Sequence, residues 1–183
     1  MFEMDREVAE RRNRSRKIAL TMAFIGLVIV SVLIFLVPGV MRTDSMGTVV
    51  KDGDVTLMNR MAYSQRVAPA YGDITMFKAE NVDGEIVNVP TRVIGNDDDV
   101  IEIKDGCVYR NGELLQEDYA IGDTEPGDNG ETKFTVPEES VFVLGDNRED
   151  AIDSRDVGCL SRRELGGKMV FRVLPMGEMG KIK

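Results

Sequence analysis

The sequence predicts a mainly β, extracytoplasmic domain behind a single N-terminal transmembrane helix. Three observations carry that reading: a basic start, a long run without charge, and a remainder of short apolar runs punctuated by Gly and Asp. They divide the chain into residues 1–17 as a cytoplasmic basic segment, 18–37 as the membrane helix and 38–183 as the β domain.

The run from Ile18 to Val37 has 20 residues and no charged side chain. As a helix it spans roughly 30 Å, the thickness of a bilayer's hydrocarbon core. Arg11 to Lys17 place five positive residues just before it, and the positive-inside rule puts that flank in the cytoplasm. The predicted location is the cell membrane, crossed once, with the C-terminal domain outside. A buried core helix and a cleaved secretory leader are the alternatives. Against cleavage, the run exceeds an ordinary leader's apolar stretch, and Pro38-Gly39-Val40-Met41-Arg42 offers no small-residue cleavage pattern.

Pro38 and Gly39 are expected to end the helix. Beyond them the candidate strands are Val55 to Asn59, Ile74 to Lys78, Glu85 to Val89, Arg92 to Ile94, Val100 to Ile103, Cys107 to Arg110, Lys133 to Val136, Val141 to Leu144 and Lys168 to Val173. Asp105-Gly106 and Asn111-Gly112 signal tight turns, because Asn, Asp and Gly accept the positive φ such turns demand. They predict a meander from Val100 to Leu115. Asp118 to Glu131 reads as a loop.

Composition excludes several functions. Residues 1–17 hold six Lys/Arg against four Asp/Glu, and the rest of the chain holds 17 against 28. An acidic domain lacks the clustered positive charge by which proteins grip nucleic acid, so none is expected as a partner. The chain contains no His, which removes every histidine-based triad or metal site. The acidic clusters Asp97-Asp98-Asp99 and Asp123, Glu125, Asp128, Glu131 lack calcium-loop spacing and read as solvated surface, so neither a metal nor another cofactor is expected. Cys107 and Cys159 lie far apart, and sequence leaves their pairing open.

Six short boxes follow the helix: Ser45-Met46, Gly53-Asp54, Tyr71-Gly72-Asp73-Ile74, Arg92-Val93-Ile94-Gly95, Gly145-Asp146-Asn147-Arg148 and Asp153-Ser154-Arg155. Each alone is weak. In this order behind one apolar helix the chain resembles the bacterial type I signal peptidases from Ile18 to Pro175. The resemblance implies a membrane-anchored serine endopeptidase that removes signal peptides from exported preproteins, with a neutral Lys as general base. Ser45 matches the nucleophile, and Thr43 matches the hydroxyl that joins the serine N–H in stabilising an oxyanion. Gly145, Asp146, Asn147, Ser154 and the pair Asp153 and Arg155 match the residues that brace the site.

The base is where the resemblance breaks. The position of the catalytic Lys, immediately before Arg92, holds Thr91, whose hydroxyl has no useful basicity near neutral pH. The family residue that orients the Lys, six positions after the box glycine, is replaced by Ala151. Thr48 stands where the family has a Pro that stiffens the nucleophile turn, and loss of that Pro predicts a looser turn. Losing a general base typically costs ~10²- to 10⁴-fold in rate. Lys51, Lys78 and Lys104 are the candidate substitutes. Two functions follow: a slow or specialised signal peptidase, or a non-catalytic relative that assembles exported or pilus proteins, with sortase or pilin components as partners. An anchored β domain with an unrelated binding role is a third.

Overall fold

A computed structural model describes residues 2–47, 49–80 and 84–182, the side chains of 2–10 and 31–34 excepted. The chain forms two units, Met1–Leu36 and Val37–Lys183. The first is α1, Phe2–Phe35. It stops two residues short of the predicted end, since Leu36 and Val37 already belong to strand β1, Leu36–Val40. From Ile18 to Val30 the large apolar side chains are exposed, Leu20 at 71% and Leu27 at 66%. Among the described residues no helix is long and apolar enough to cross a membrane. Residues 31–34 of the predicted span have side chains outside the described ones.

The second unit is β-rich. Its strands after β1 are β2 (Val55–Asn59), β3 (Ile74–Glu80), β4 (Ile86–Gly95), β5 (Val100–Lys104), β6 (Cys107–Arg110), β7 (Glu113–Leu114), β8 (Lys133–Thr135), β9 (Ser140–Leu144), β10 (Leu160–Ser161), β11 (Lys168–Leu174) and β12 (Gly180–Lys181), with a short helix α2 (Ser154–Val157) between β9 and β10. They make three sheets, in the orders β1-β2-β11-β12, β10-β9-β4-β3 and β7-β6-β5-β8. Pro38 lies within β1 without breaking it, because β1 is an edge strand, where a missing N–H is tolerated.

Two predicted strands, Glu85 to Val89 and Arg92 to Ile94, are one. β4 runs through Pro90, pairing Met76 with Pro90 and Ile74 with Arg92 on β3. Val93 bonds back to Asp73 on the β3 side, so by alternation Pro90 and Arg92 turn their backbone groups the other way. There β9 reaches Arg92 through Leu144 and ends. The absent N–H of Pro90 therefore falls where β4 has no neighbour, and its carbonyl is left for another partner. The predicted meander forms as β5, β6 and β7, with Asn111 and Asp105 at positive φ in its turns.

Three clusters fill the interior. Ile94, Ile101, Val136 and Phe142 lie in one, Met41, Met46, Val50, Met58 and Met169 in a second, and Phe77, Val89, Val93 and Val143 in a third. Met46, next to Ser45, is fully buried, so the Ser45 turn is fixed to the methionine cluster. Of Asp97 to Asp99, expected to be solvated, Asp98 is exposed but its two neighbours are engaged. Asp97 pairs with buried Arg162 at 2.6 Å, and Asp99, 6% exposed, accepts from Tyr71, Asn96 and Asn111. The cysteines are both free.

Candidate active site

Ser45 sits in a turn closed by Gly47 N–H donating to Asp44 O at 2.9 Å, with Gly47 at φ 55°. Gly47 is required there, since its ideal Cβ would also stand against Ile121. Thr48, whose identity predicted a looser turn, lies outside the described residues. The described part of the turn is well held. Asn147 N–H donates to Ser45 O at 2.9 Å, Asp52 N–H to Asp44 Oδ1 at 3.1 Å, and the Arg172 guanidinium to Val49 O.

The Ser45 hydroxyl is 1% exposed and donates to Pro90 O at 2.7 Å. Thr43 Oγ1 lies 3.0 Å from Ser45 Oγ. Both described partners of Ser45 Oγ are non-titratable. The Pro90 carbonyl is the one that β4 leaves free, and one peptide bond beyond it is Thr91. The carbonyl carbon of Pro90 is bonded to Thr91 N, which places the Thr91 backbone within about 6 Å of the Ser45 hydroxyl. Thr91 shares a face of β4 with Val89 and Val93 by strand alternation, is fully buried, and faces Thr75 across the ladder. Thr75 bonds Gly167 O at 2.8 Å, while Thr91 Oγ1 has no hydrogen-bond partner among the described residues.

Ala151 is close as well. A Cβ on Gly145 would overlap the Ala151 methyl and stand 2.7 Å from Ser45 O. Glycine is needed because three segments meet at one backbone position. The structure thus gathers Ser45, Thr43, Thr91, Gly145 and Ala151. Lys51 is instead paired with Glu178 at 3.1 Å, Lys78 is exposed on β3 opposite Asn88, and Lys104 is exposed at the end of β5 opposite Cys107.

The bracing residues form a buried polar frame under Ser45. Asp153 Oδ2 accepts from Gly145 N–H at 3.0 Å, pairs with Arg155 and caps α2. Ser154 Oγ accepts from Val143 N–H at 2.9 Å. Arg155 reaches the carbonyls of Arg148 and Glu125. Asp146 takes both oxygens to Arg92, at 2.8 and 2.6 Å. Burial pushes the Asp146 carboxyl above its ordinary value, with Arg92 pulling the other way. Arg92 also lies 4.0 Å over the Tyr119 ring, whose hydroxyl burial holds well above its usual range. Arg148 grips Glu117 and Thr124. The sequence reading gave no role to Arg92, Arg148, Glu117 or Pro90, and only the Arg92 and Arg148 boxes hinted at one.

The cleft at Ser45 measures about 530 Å³ and is lined by Thr43, Val89, Ala151 and Ile152 with Asp44, Asp128, Glu149, Asp150 and Asp156. Its floor is apolar and its rim acidic. Asp128, read from sequence as loop surface, belongs to this rim. The site has the Ser45 hydroxyl beside that of Thr43 at the cleft, and among the described residues no basic side chain bonds the serine.

Comparison with known proteins gives the family. The family described as "Signal peptidase, peptidase S26" matches residues 14–174. The chain is 31% identical over 169 residues to a probable signal peptidase I-1 from a Synechocystis strain, covering 86% of this chain and 82% of that one. It is also 31% identical over 176 residues to signal peptidase IB of Staphylococcus aureus, with 88% and 89% covered. A solved signal peptidase I from Enterococcus faecalis is 28% identical, with TM-score 0.45, over 55% of this chain and 96% of that one. With the match running across nearly the whole chain, the protein belongs to the signal peptidase family.

Proposed function

We propose that this chain is a single-pass membrane protein that takes the signal-peptide region of exported preproteins into the Ser45 cleft, with Ser45 as nucleophile and Thr43 as an oxyanion donor. We further propose that cleavage is weak or lost because Thr91 occupies the base position. One observation carries the reading: the Ser45 proton is directed at the Pro90 carbonyl, while the adjacent Thr91 offers a buried, unpartnered hydroxyl instead of an amine. A carbonyl cannot accept the proton that must leave Ser45 as the acyl bond forms. The anchor is supported by the uncharged run Ile18 to Val37 and its basic flank. The same hydrogen bond favours a second reading, a non-catalytic relative that binds exported or pilus proteins and hands them on.

The test is Thr91→Lys with Ala151→Ser, assayed on a signal-peptide substrate. The lysine supplies the amine and the serine aims it, which matters because an unoriented Lys snorkels toward water and regains its charge. Cleavage should rise by ~10²- to 10⁴-fold over the natural chain and vanish on Ser45→Ala. Robust cleavage by the natural chain, abolished by Ser45→Ala, would overturn the loss of activity. A folded but inactive double variant would favour the non-catalytic reading.

A further inference from the structure

A cleft of about 380 Å³ that shares no lining residue with the one at Ser45 is lined by Arg60, Lys78 and Arg163 around Met76, Phe77, Leu165 and Gly166, with Glu164 as its single carboxylate. The three cations come from three places in the chain: just beyond β2, the middle of β3, and the turn between β10 and β11. Two glycines bring them together. Gly166 N–H bonds Met76 O at 2.8 Å, and a Cβ there would press on the Met76 side chain. Gly167, at φ 122°, lets the turn lie against the backbone of Asn59 and Arg60, where a Cβ would stand 2.8 Å from Arg60 Cα. Among the described residues none of the three cations has an ion pair, whereas Arg92, Arg148, Arg155, Arg162, Lys168 and Arg172 are all paired. Glu164 is already engaged by Ser161 N–H at 2.7 Å.

Unpaired cations converging over an apolar floor are unusual in a region holding 17 Lys/Arg against 28 Asp/Glu. Repulsion between them is relieved by an anion, and the apolar floor suits one with hydrocarbon attached.

We propose that this cleft binds the phosphate of an anionic phospholipid headgroup, an inference that rests on the membrane anchoring proposed above. The headgroup oxygens take charge-assisted hydrogen bonds from Arg60, Lys78 and Arg163, and the glycerol and first methylenes lie on Met76 and Leu165. In this way an acidic domain is held against a membrane surface that would otherwise repel it.

The full-length chain in zwitterionic detergent, titrated with phosphatidylglycerol or phosphatidylcholine and read by native mass spectrometry, tests this. Phosphatidylglycerol adducts should exceed phosphatidylcholine adducts by about tenfold or more. The variant Arg60→Gln, Lys78→Gln and Arg163→Gln should lose that preference with an unchanged circular dichroism spectrum. The conservative Arg60→Lys and Arg163→Lys variant should keep most of it. Equal retention of the two lipids, a preference unchanged in the Gln variant, or displacement of phosphatidylglycerol by equimolar inorganic phosphate would each overturn the headgroup site, the last pointing to free phosphate. Alkaline carbonate extraction of membranes separates the two proposals. Release of the chain defeats the anchor, while loss of lipid preference in a chain that resists extraction defeats the headgroup site alone.

Discussion

The two sides of the Ser45 site are built to different standards. On the nucleophile side, nearly every polar group near the serine is used: Asn147 holds the Ser45 carbonyl, Asp153 holds Gly145, and Asp153 in turn is held by Arg155. On the base side, Thr91 is buried with an orphan hydroxyl, and Ala151 contributes only a methyl. Buried polar groups in folded proteins are rarely left unpaired; among the described residues Thr91 Oγ1 shares that state with single atoms of Thr56, Asn96, Asp97, Arg162 and Arg172, and of these it is the one next to the Pro90 carbonyl that Ser45 bonds. The Ser45 side is closely held, and among the described residues no basic side chain bonds the Ser45 hydroxyl.

The largest effect that sharpens this contrast is a pH profile. In the Thr91→Lys, Ala151→Ser variant the cleavage rate should climb as pH rises through the lysine's pKa, which the apolar setting lowers from its free value. Any residual rate of the natural chain should lack that step. An identical rising limb in both proteins would mean that a different base serves Ser45.

Next in size is the frame. Arg92→Met strands the Asp146 carboxylate in a buried position and should cost about 3–5 kcal/mol in chemical denaturation. Arg92→Met with Asp146→Leu removes both charges and should recover most of it, because the bridge repays little more than its own desolvation. The raised Asp146 pKa points the same way. If the double variant is as unstable as the single one, then the contacts of Arg92 with Gly72 O and the Tyr119 ring carry the stability instead.

Smaller still is the orphan itself. Thr91→Val keeps the shape and deletes the hydroxyl, so it should raise stability by about 1–2 kcal/mol, the cost of a buried unsatisfied group. A loss of stability would show that the hydroxyl is satisfied by a buried water, and the contrast between the two sides would weaken.

Much of the surroundings of Ser45 was legible in the sequence as short boxes, because packing and capping restrict which residue types fit there. Gly145 is forced by three segments meeting at its Cα, and Asp153 by a helix cap and an arginine two residues on. The acceptor of the Ser45 proton was not legible. It is a backbone carbonyl, present in every residue, and it is free only because β9 ends at Leu144 beside a proline. That same proline split β4 into two strands in the sequence reading. The acidic rim was hidden for a related reason: Asp128 lies in the segment that reads as a loop and Asp156 in one given no element, and only the packing of both beside Ala151 makes them one edge of a cleft. Helix α1 ended early because a strand pairing at the domain's edge outcompeted two more residues of helix.

The smallest expected effect concerns how far the bracing of Ser45 extends. Glu178, in the turn of residues 176–178 between β11 and β12, accepts from Lys51 and Arg172, and Arg172 holds both Asp54 and the Val49 carbonyl of the segment after Ser45. The Lys51 hydrogen bond, with Arg172 adding to it, lowers the Glu178 carboxyl below its ordinary 4.5. A lowered folded-state pKa in an acid adds stability that is present above the ordinary value and lost as pH falls through the lowered one. Glu178→Gln should therefore reduce the melting temperature slightly at pH 7, and the gap to the natural chain should close as pH drops below 4.5. Since Glu178 is at the surface, added salt should narrow the same gap at pH 7. Introduced into the Thr91→Lys, Ala151→Ser background, the change should leave the rate nearly unaltered, because Asn147 and Asp52 hold the serine turn independently of Arg172. A marked fall in rate there would mean that the C-terminal hairpin is part of what positions Ser45, and that the well-built side of the site reaches to the end of the chain.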